Sequence, residues 1–195
     1  TDPQTRVVIA GQLKQGKSQL LNSLLNMPVA RVGDDESTVL ATVVSYGEQA
    51  SARLVVARPD GEEPELVEIP PADLTKDLRR APQAGGREVL RVEVTAPSPL
   101  LKGGLAFIDT PGVGGFDGSH DRATLAALSG ATSLLFCADG ARPLSEPELA
   151  FLREATGSIA RVAFVLTKVD QNPAWRDVLE DNRKKVAEYA PAFAD

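Results

Sequence analysis

The segment Gly11-Gln12-Leu13-Lys14-Gln15-Gly16-Lys17-Ser18 gives the strongest indication of the fold expected of this chain. It fits the pattern G-x-x-x-x-G-K-[ST], and it lies between an apolar run over residues 6–10 and a helical pattern of leucines from Leu20 to Leu25. In a glycine-rich turn, successive backbone N–H groups point at one anion, and the dipole of the following helix adds positive charge. This context predicts a phosphate-binding loop, whereas the alternative is a glycine-rich turn without a ligand.

Two side chains of this loop carry its chemistry. Lys17 would reach the β- and γ-phosphates of a nucleotide, and the Ser18 hydroxyl would bind a Mg²⁺ ion that bridges the same phosphates. The residues predicted to bind the nucleotide in this segment are Gly11, Gln15, Gly16, Lys17, Ser18 and Gln19.

Composition narrows the class of protein. The 195 residues are 43% hydrophobic, which favours one compact domain, and the formal net charge of −6 argues against an extended nucleic-acid surface. The single cysteine, Cys137, lies in an apolar run, so no disulfide framework is expected and a reducing compartment fits. No apolar run approaches the ~18 residues of a membrane span. We therefore expect a cytoplasmic chain without a nucleic-acid partner.

Strand and helix patterns alternate along the sequence. The predicted strands cover residues 6–10, 39–46, 52–57, 66–69, 88–95, 105–108, 133–138 and 161–166, with a hairpin turn at 59–61. The predicted helices follow the phosphate loop, Asp121, Ser145 and Asn172, and a short helix with a mobile link is expected over 73–86. The runs at 39–46 and 52–57 are predicted to be antiparallel and half-exposed, and the run at 161–166 to be buried on both faces. The pattern predicts a three-layer α/β fold with ligands at the carboxyl ends of the strands.

A second polar cluster, Asp109-Thr110-Pro111-Gly112, follows a predicted strand. Asp109 would complete the Mg²⁺ shell near Ser18, because Mg²⁺ keeps several waters and takes few carboxylates. Thr38 would supply a hydroxyl or carbonyl oxygen to the metal from the other side. The backbone N–H of Gly112 would contact the γ-phosphate and couple the glycine-rich loop at 113–119 to it.

A third cluster, Thr167-Lys168-Val169-Asp170, predicts the base. A carboxylate accepts two hydrogen bonds from guanine N1 and N2, whereas adenine offers no such donor pair, so Asp170 favours GTP over ATP. Lys168 would lay its alkyl stem along the base, and Thr167 would orient the loop. Alone, T-K-x-D is also typical of a solvated strand end; after the phosphate loop and D-T-P-G it becomes specific.

In these motifs the chain resembles the translation-factor-related GTPases, and within them a bacterial dynamin-like GTPase. The resemblance rests on residues 11–25, 37–47, 109–115 and 134–152. Thr38 and Asp109 are 71 positions apart (109 minus 38), which leaves room for the extra strands of dynamin-like domains, although an unrelated insertion would give the same spacing. The resemblance implies GTP or GDP and Mg²⁺ as ligands, a P-loop GTPase fold with a mostly parallel sheet, and an antiparallel extension before D-T-P-G.

The residues for hydrolysis depart from the family pattern. Ras-like enzymes orient water with a glutamine where this chain has Val113, and dynamins carry glutamine and serine where it has Leu13 and Lys14. Guanylate-binding relatives place an arginine at the position of Lys14, which turns inward on dimerisation. Lys17, Thr38 and Lys14 are therefore the catalytic candidates, and a solvated lysine is the alternative for Lys14.

The resemblance also implies what the whole protein would do. Such proteins self-associate through the nucleotide face and reach the cytoplasmic membrane through helices outside their GTPase domain. The chain has 25 residues after Asp170 (195 minus 170) and lacks the last guanine-closing motif, so residues 1–195 are expected to be an incomplete GTPase domain of a longer protein. The alternatives are a monomeric regulatory or ribosome-assembly GTPase and a poorly hydrolysing nucleotide-binding switch.

Overall fold

The computed structural model describes residues 4–32, 40–59, 61–112, 130–159 and 161–194. These residues form eight strands: β1 (Thr5–Ala10), β2 (Ala41–Tyr46), β3 (Ser51–Val56), β4 (Glu65–Ile69), β5 (Val89–Ala96), β6 (Leu105–Asp109), β7 (Ser133–Asp139) and β8 (Val162–Thr167). They also form three α-helices: α1 (Lys17–Leu25), α2 (Glu146–Ala155) and α3 (Trp175–Tyr189). The helix predicted at Asp121 lies outside the described residues.

The chain divides into two compact units. The first contains residues 1–6 and 18–110, and the second contains residues 7–17 and 111–195.

The first unit carries the antiparallel extension that the sequence predicted. Its strands lie in the order β4-β3-β5-β2-β6, and every neighbouring pair is antiparallel except β2 with β5. Alternate side chains of β2 are buried, as expected of a half-exposed strand. The runs at 39–46 and 52–57 do run antiparallel to each other, as predicted, but they are not neighbours, because β5 lies between β2 and β3 and pairs with both.

Residues 71–84 differ from the predicted short helix and mobile link. They form three consecutive 3₁₀ turns, Pro71–Thr75, Leu78–Arg80 and Pro82–Ala84. Leu74, Leu78 and Ala84 are buried, so this segment covers apolar surface of the first unit. The Pro and Gly residues that indicated a link instead punctuate the 3₁₀ turns.

The second unit is built on a parallel sheet in the order β1-β7-β8. Val7 pairs with Ser133, and Asp139 pairs with Thr167 at the carboxyl ends of β7 and β8. Phe136, fully buried on β7, stacks on Phe151 of α2 with 6.0 Å between ring centroids. The predicted α/β class with parallel strands is confirmed.

The prediction that 161–166 is buried on both faces was wrong. β8 is the outer strand of the described sheet and pairs with β7 alone, and the Phe164 side chain is 39% exposed. A continuous apolar run predicts a strand, but it does not state how many neighbours that strand has.

The helix predicted after Ser145 is confirmed, since α2 begins at Glu146. The Ser145 backbone N–H and hydroxyl donate hydrogen bonds to Glu148 Oε2 at 2.8 and 2.6 Å, and these contacts belong to a capping box at the start of α2. On α3, the buried Asn182 accepts a hydrogen bond of 2.7 Å from the Leu144 N–H, which holds the segment before α2 against α3. No helix within the described ranges is long and apolar enough to cross a membrane.

Candidate nucleotide-binding site

The phosphate loop has the backbone that its glycines allow. Gly11 has φ +147°, Lys14 has φ +62° and Gly16 has φ +80°, so three positions lie in the region that L side chains rarely adopt. A Cβ atom at Gly11 would also lie 2.2 Å from the carbonyl oxygen of Cys137 on β7. Glycine is therefore required where β1 passes into the loop.

Lys17 lies inside this loop and is 5% exposed. Its Nζ donates hydrogen bonds to the carbonyl oxygens of Gly11, at 3.0 Å, and Gln12, at 2.7 Å. Carbonyl oxygens carry only partial charge, so a phosphate would offer this ammonium a stronger, charge-assisted contact. The loop therefore fits an anion.

Ser18 and Asp109 meet in the first unit. The Ser18 hydroxyl donates a hydrogen bond of 2.6 Å to Asp109 Oδ2, although the two residues are 91 positions apart in the chain. Ser18 is 8% exposed and Asp109 is fully buried. Both side chains offer only oxygen atoms as metal ligands, which Mg²⁺ prefers. A Mg²⁺ ion that also binds nucleotide phosphates needs only one or two carboxylates from the protein. No group of three His, Cys, Asp or Glu side chains able to hold a metal occurs among the described residues.

Gly112 approaches the phosphate loop closely. A Cβ atom at Gly112 would lie 2.6 Å from the Leu13 backbone nitrogen and 2.8 Å from the Leu13 Cα. Both neighbours are backbone atoms, which cannot turn away as a side chain would. The D-T-P-G segment therefore needs its glycine for contact with the loop, in addition to the phosphate contact that the sequence predicts.

Thr167 connects residues 167–170, the predicted base-recognition segment, to the phosphate loop. Its hydroxyl lies 2.9 Å from the Gln15 carbonyl oxygen and 3.1 Å from that of Ala138. Lys168 follows with φ +54°, and its carbonyl oxygen accepts a hydrogen bond of 2.8 Å from the Asn172 side chain. Asp170, which the sequence predicts to bind the base, is exposed.

Asp139, at the end of β7, is a site residue that the sequence reasoning missed. Its Oδ2 lies 2.9 Å from Lys168 Nζ, and its Oδ1 accepts a hydrogen bond of 2.8 Å from the Ala141 N–H. Burial alone raises the pKa of this carboxyl. The hydrogen bonds from Lys168 and Ala141, together with the charges of Lys168 and Arg142, outweigh burial and hold the pKa below its ordinary value. The sequence did offer one signal, because Asp139 ends an apolar strand as Asp109 does, whereas its position opposite Thr167 is seen only in the structure.

Gln12 is a second residue that the sequence did not single out. Its side-chain Nε2 donates to Ser145 Oγ at 2.8 Å, and its Oε1 accepts a short hydrogen bond from Arg142. Because the Gln12 carbonyl oxygen also holds Lys17, one residue links the loop lysine to the start of α2. These partners follow more than 120 positions later in the chain, beyond the reach of a local pattern.

The remaining predicted residues are placed as follows. Gln15 is buried in the loop, Gln19 is exposed on the first turn of α1, and Lys14 is exposed on the loop surface. Leu13 is 42% exposed. Thr38, Val113 and the loop at 113–119 lie outside the described residues, so the structure does not test their predicted roles.

With this geometry established, the family follows from comparison with known proteins. A family model described as "Dynamin family" matches residues 7–169, which include the phosphate loop, D-T-P-G and the third cluster as far as Val169. The chain belongs to the dynamin family. The resemblance inferred from the motifs is thereby confirmed.

Two curated relatives illustrate the range of similarity. The isoniazid-induced protein IniA of Mycobacterium tuberculosis is 61% identical over 183 residues, which are 93% of this chain and 28% of IniA. Dynamin-like protein A of Bacillus subtilis is 25% identical over 187 residues, which are 96% of this chain and 15% of that protein. The dynamin-family chain thus spans less than a third of the length of either relative.

Solved structures agree on the fold. A chain of an oligomerised bacterial dynamin pair superposes with a TM-score of 0.72 at 20% identity, covering 98% of this chain and 30% of that one. Era in complex with MgGDPNP and part of 16S ribosomal RNA gives a TM-score of 0.55 at 16% identity, covering 98% and 49%. The fold is shared with both, and the dynamin chain is the more similar of the two.

Proposed function

We propose that this chain is the guanine-nucleotide-binding and GTP-hydrolysing domain of a bacterial dynamin-like protein. The observation that carries the proposal is the contact of 2.9 Å between the Thr167 hydroxyl and the Gln15 carbonyl oxygen. It fixes the base-recognition segment to the phosphate loop, so phosphates at Lys17 and a base at Asp170 would belong to one ligand.

Each residue has a defined role in this proposal. The loop N–H groups and Lys17 would bind the phosphates, and Ser18 and Asp109 would hold the Mg²⁺ ion. The positive charge of that ion would offset the negative charge that develops on the phosphate oxygens during phosphoryl transfer. Asp170 accepts hydrogen bonds from guanine. Thr38 as a further metal ligand and Lys14 as a cationic group are carried over from the sequence.

Self-association and membrane remodelling belong to the protein of which this chain would be a domain. Their support is the family membership and the likeness to the bacterial dynamin pair, whose description concerns long-range sensing and tethering of membranes. We propose that the chain self-associates through its nucleotide face, and that other regions place the protein at the cytoplasmic membrane. The net charge of −6 disfavours an RNA-binding role such as that of Era.

The test is GTP turnover per molecule as a function of protein concentration, measured on the longest natural chain that contains this domain, with ATP as the control nucleotide. A specific rate that rises with concentration and requires GTP supports the dimerising enzyme. A flat rate would support a monomeric switch, and tight GTP binding without turnover would support a binding module. The variant Asp170→Asn should transfer preference from GTP to xanthosine triphosphate, and failure to do so would contradict the base assignment.

A further inference from the structure

We propose that Asp139 is a positioning residue for guanine binding, which holds the Lys168 ammonium so that the Lys168 alkyl stem is preorganised to lie against the base. The inference rests on the proposed function, because it assigns a new residue to the same nucleotide site. It concerns a residue outside the phosphate loop, D-T-P-G and T-K-x-D patterns.

The sheet register brings the two charges together. Asp139 and Thr167 are paired residues at the carboxyl ends of β7 and β8, so Lys168 is the first residue beyond that pair. Lys168 Nζ reaches Asp139 Oδ2 at 2.9 Å, and the side chains are 35% and 18% exposed. The ion pair is thus half-buried at the edge of the sheet where parallel strands place their ligands.

The carboxylate is held in place independently of the lysine. The Ala141 N–H donates to Asp139 Oδ1 at 2.8 Å, and the Gly140 N–H donates to the Thr167 carbonyl oxygen at 2.9 Å. A Cβ atom at Gly140 would lie 3.1 Å from that carbonyl oxygen and 3.4 Å from the Trp175 Cβ. The turn after β7 is therefore packed closely against the segment that it supports.

The backbone end of Lys168 is fixed as well. Its φ of +54° lies in the left-handed region, and its carbonyl oxygen accepts hydrogen bonds from the Gln171 N–H at 3.1 Å and the Asn172 side chain at 2.8 Å. With the backbone and the ammonium both held, the methylene groups between them keep few rotamers. A long lysine side chain otherwise loses that freedom when a ligand orders it, so ordering it in advance favours binding.

A role in stability alone would give a different result. Partly exposed ion pairs contribute little to the free energy of unfolding, because water screens them and both side chains lose entropy. Loss of the Asp139 charge should therefore leave the unfolding midpoint nearly unchanged while nucleotide affinity falls. Glu93 in the first unit offers a control that removes at least as much ion pairing, since this carboxylate, 21% exposed, contacts both Arg53 and Arg91 at 2.8 Å.

The experiment compares Asp139→Asn with Glu93→Gln in the longest natural chain, using fluorescent GTP and inosine triphosphate, which lacks the N2 amino group. We expect Asp139→Asn to weaken both nucleotides by the same factor, ~3- to 10-fold, because the lysine stem contacts the ring and not the amino group. Glu93→Gln should change neither affinity. Asp139→Glu, which keeps the charge, should recover most of the loss, and Asp139→Asn should have no further effect in a Lys168→Met background.

The outcomes separate the two proposals. If the unaltered protein binds no GTP, both fall. If it binds GTP and Asp139→Asn binds equally well, or loses affinity additively with Lys168→Met, the positioning role alone is overturned. If the loss of nucleotide affinity in Asp139→Asn is accompanied by a clear fall in the unfolding midpoint, Asp139 is instead a structural residue.

Discussion

The Ser18 hydroxyl donates a hydrogen bond of 2.6 Å to Asp109 Oδ2, and both side chains are buried. A hydroxyl on the first turn of α1 and a carboxylate at the end of β6 are therefore in direct contact, although they are 91 residues apart in the chain. This pair is the reason to expect a Mg²⁺-dependent activity.

Replacing Asp109 by Asn should raise the Mg²⁺ concentration needed for GTP turnover by ~10- to 100-fold, because the shape of the side chain is kept while its charge is lost. A Mg²⁺ titration of turnover measures this, and chelation of Mg²⁺ should abolish turnover in the unaltered protein. Asp177→Asn, at an exposed carboxylate on α3, is the control. An unchanged Mg²⁺ requirement in Asp109→Asn would contradict the metal assignment.

Gly112→Ala should impair the phosphate loop. The added Cβ would lie 2.6 Å from the Leu13 backbone nitrogen, so the loop or the D-T-P-G segment must shift. We expect GTP affinity and turnover each to fall at least tenfold, on the order of 1.4 kcal/mol. Gly103→Ala is the matched control, because no atom lies within 4 Å of its Cβ position. Equal GTP affinities in the two variants would show that the loop adapts without cost.

Gln12→Ala should uncouple the phosphate loop from α2. The variant loses the contacts to Ser145 and Arg142 but keeps the backbone carbonyl that holds Lys17. Two lost hydrogen bonds predict a fall of ~1–3 kcal/mol in the free energy of unfolding, together with a lower kcat/KM for GTP. Gln83→Ala, at an exposed side chain, should change neither quantity. Unaltered kinetics in Gln12→Ala would limit this network to stability.

The acid dependence of stability should include a term from Asp77. The hydrogen bond from the Arg79 side chain lowers the pKa of Asp77 to about 2, from an ordinary value of 3.8. A carboxyl with a lowered folded-state pKa stabilises the fold above 3.8, and that stabilisation is lost as the pH falls towards 2. The difference in unfolding free energy between the unaltered protein and Asp77→Asn should be constant above about pH 5 and shrink below pH 4. Denaturant titrations across that pH range measure this difference in unfolding free energy. A difference that does not change with pH would contradict the lowered pKa of Asp77.

The phosphate loop was predictable because its information is local. Its glycines, Lys17 and Ser18 lie within eight consecutive residues, and the pattern of apolar residues on either side predicts the flanking strand and helix. Asp109 was predictable by a longer argument, because an acid that ends an apolar strand is delivered to the carboxyl edge of a sheet. Both steps used only chain order and the chemistry of phosphate and metal.

The rest depended on strand pairing, which single-sequence patterns do not encode. β5 lies between β2 and β3, and the exposed face of β8 follows from its outer position in the described sheet. Gln12 escaped notice for the same reason, because its partners come from distant segments that only the fold brings together. Asp139 ends an apolar strand as Asp109 does, so the argument used for Asp109 also applied to it, but its pairing with Lys168 depends on the register of β7 with β8.

Substitution of Lys14 provides the last test, because it distinguishes a cation that takes part in catalysis from a solvated lysine. The side chain is exposed and its backbone has φ +62°, a conformation that costs ~1–2 kcal/mol for a residue with a Cβ. Ala and Arg both keep that Cβ, so Lys14→Ala and Lys14→Arg leave the backbone cost unchanged, while Lys14→Ala removes the positive charge and Lys14→Arg keeps it. If Lys14 acts on a neighbouring copy or on its own nucleotide, Lys14→Ala should lose at least tenfold in turnover at high protein concentration, with GTP affinity retained, while Lys14→Arg keeps most of the rate; an arginine finger reaches ~10³ to 10⁵. Lys17→Ala should abolish nucleotide binding in the same assay, so turnover that survives in Lys14→Ala but not in Lys17→Ala would identify Lys14 as a solvated lysine.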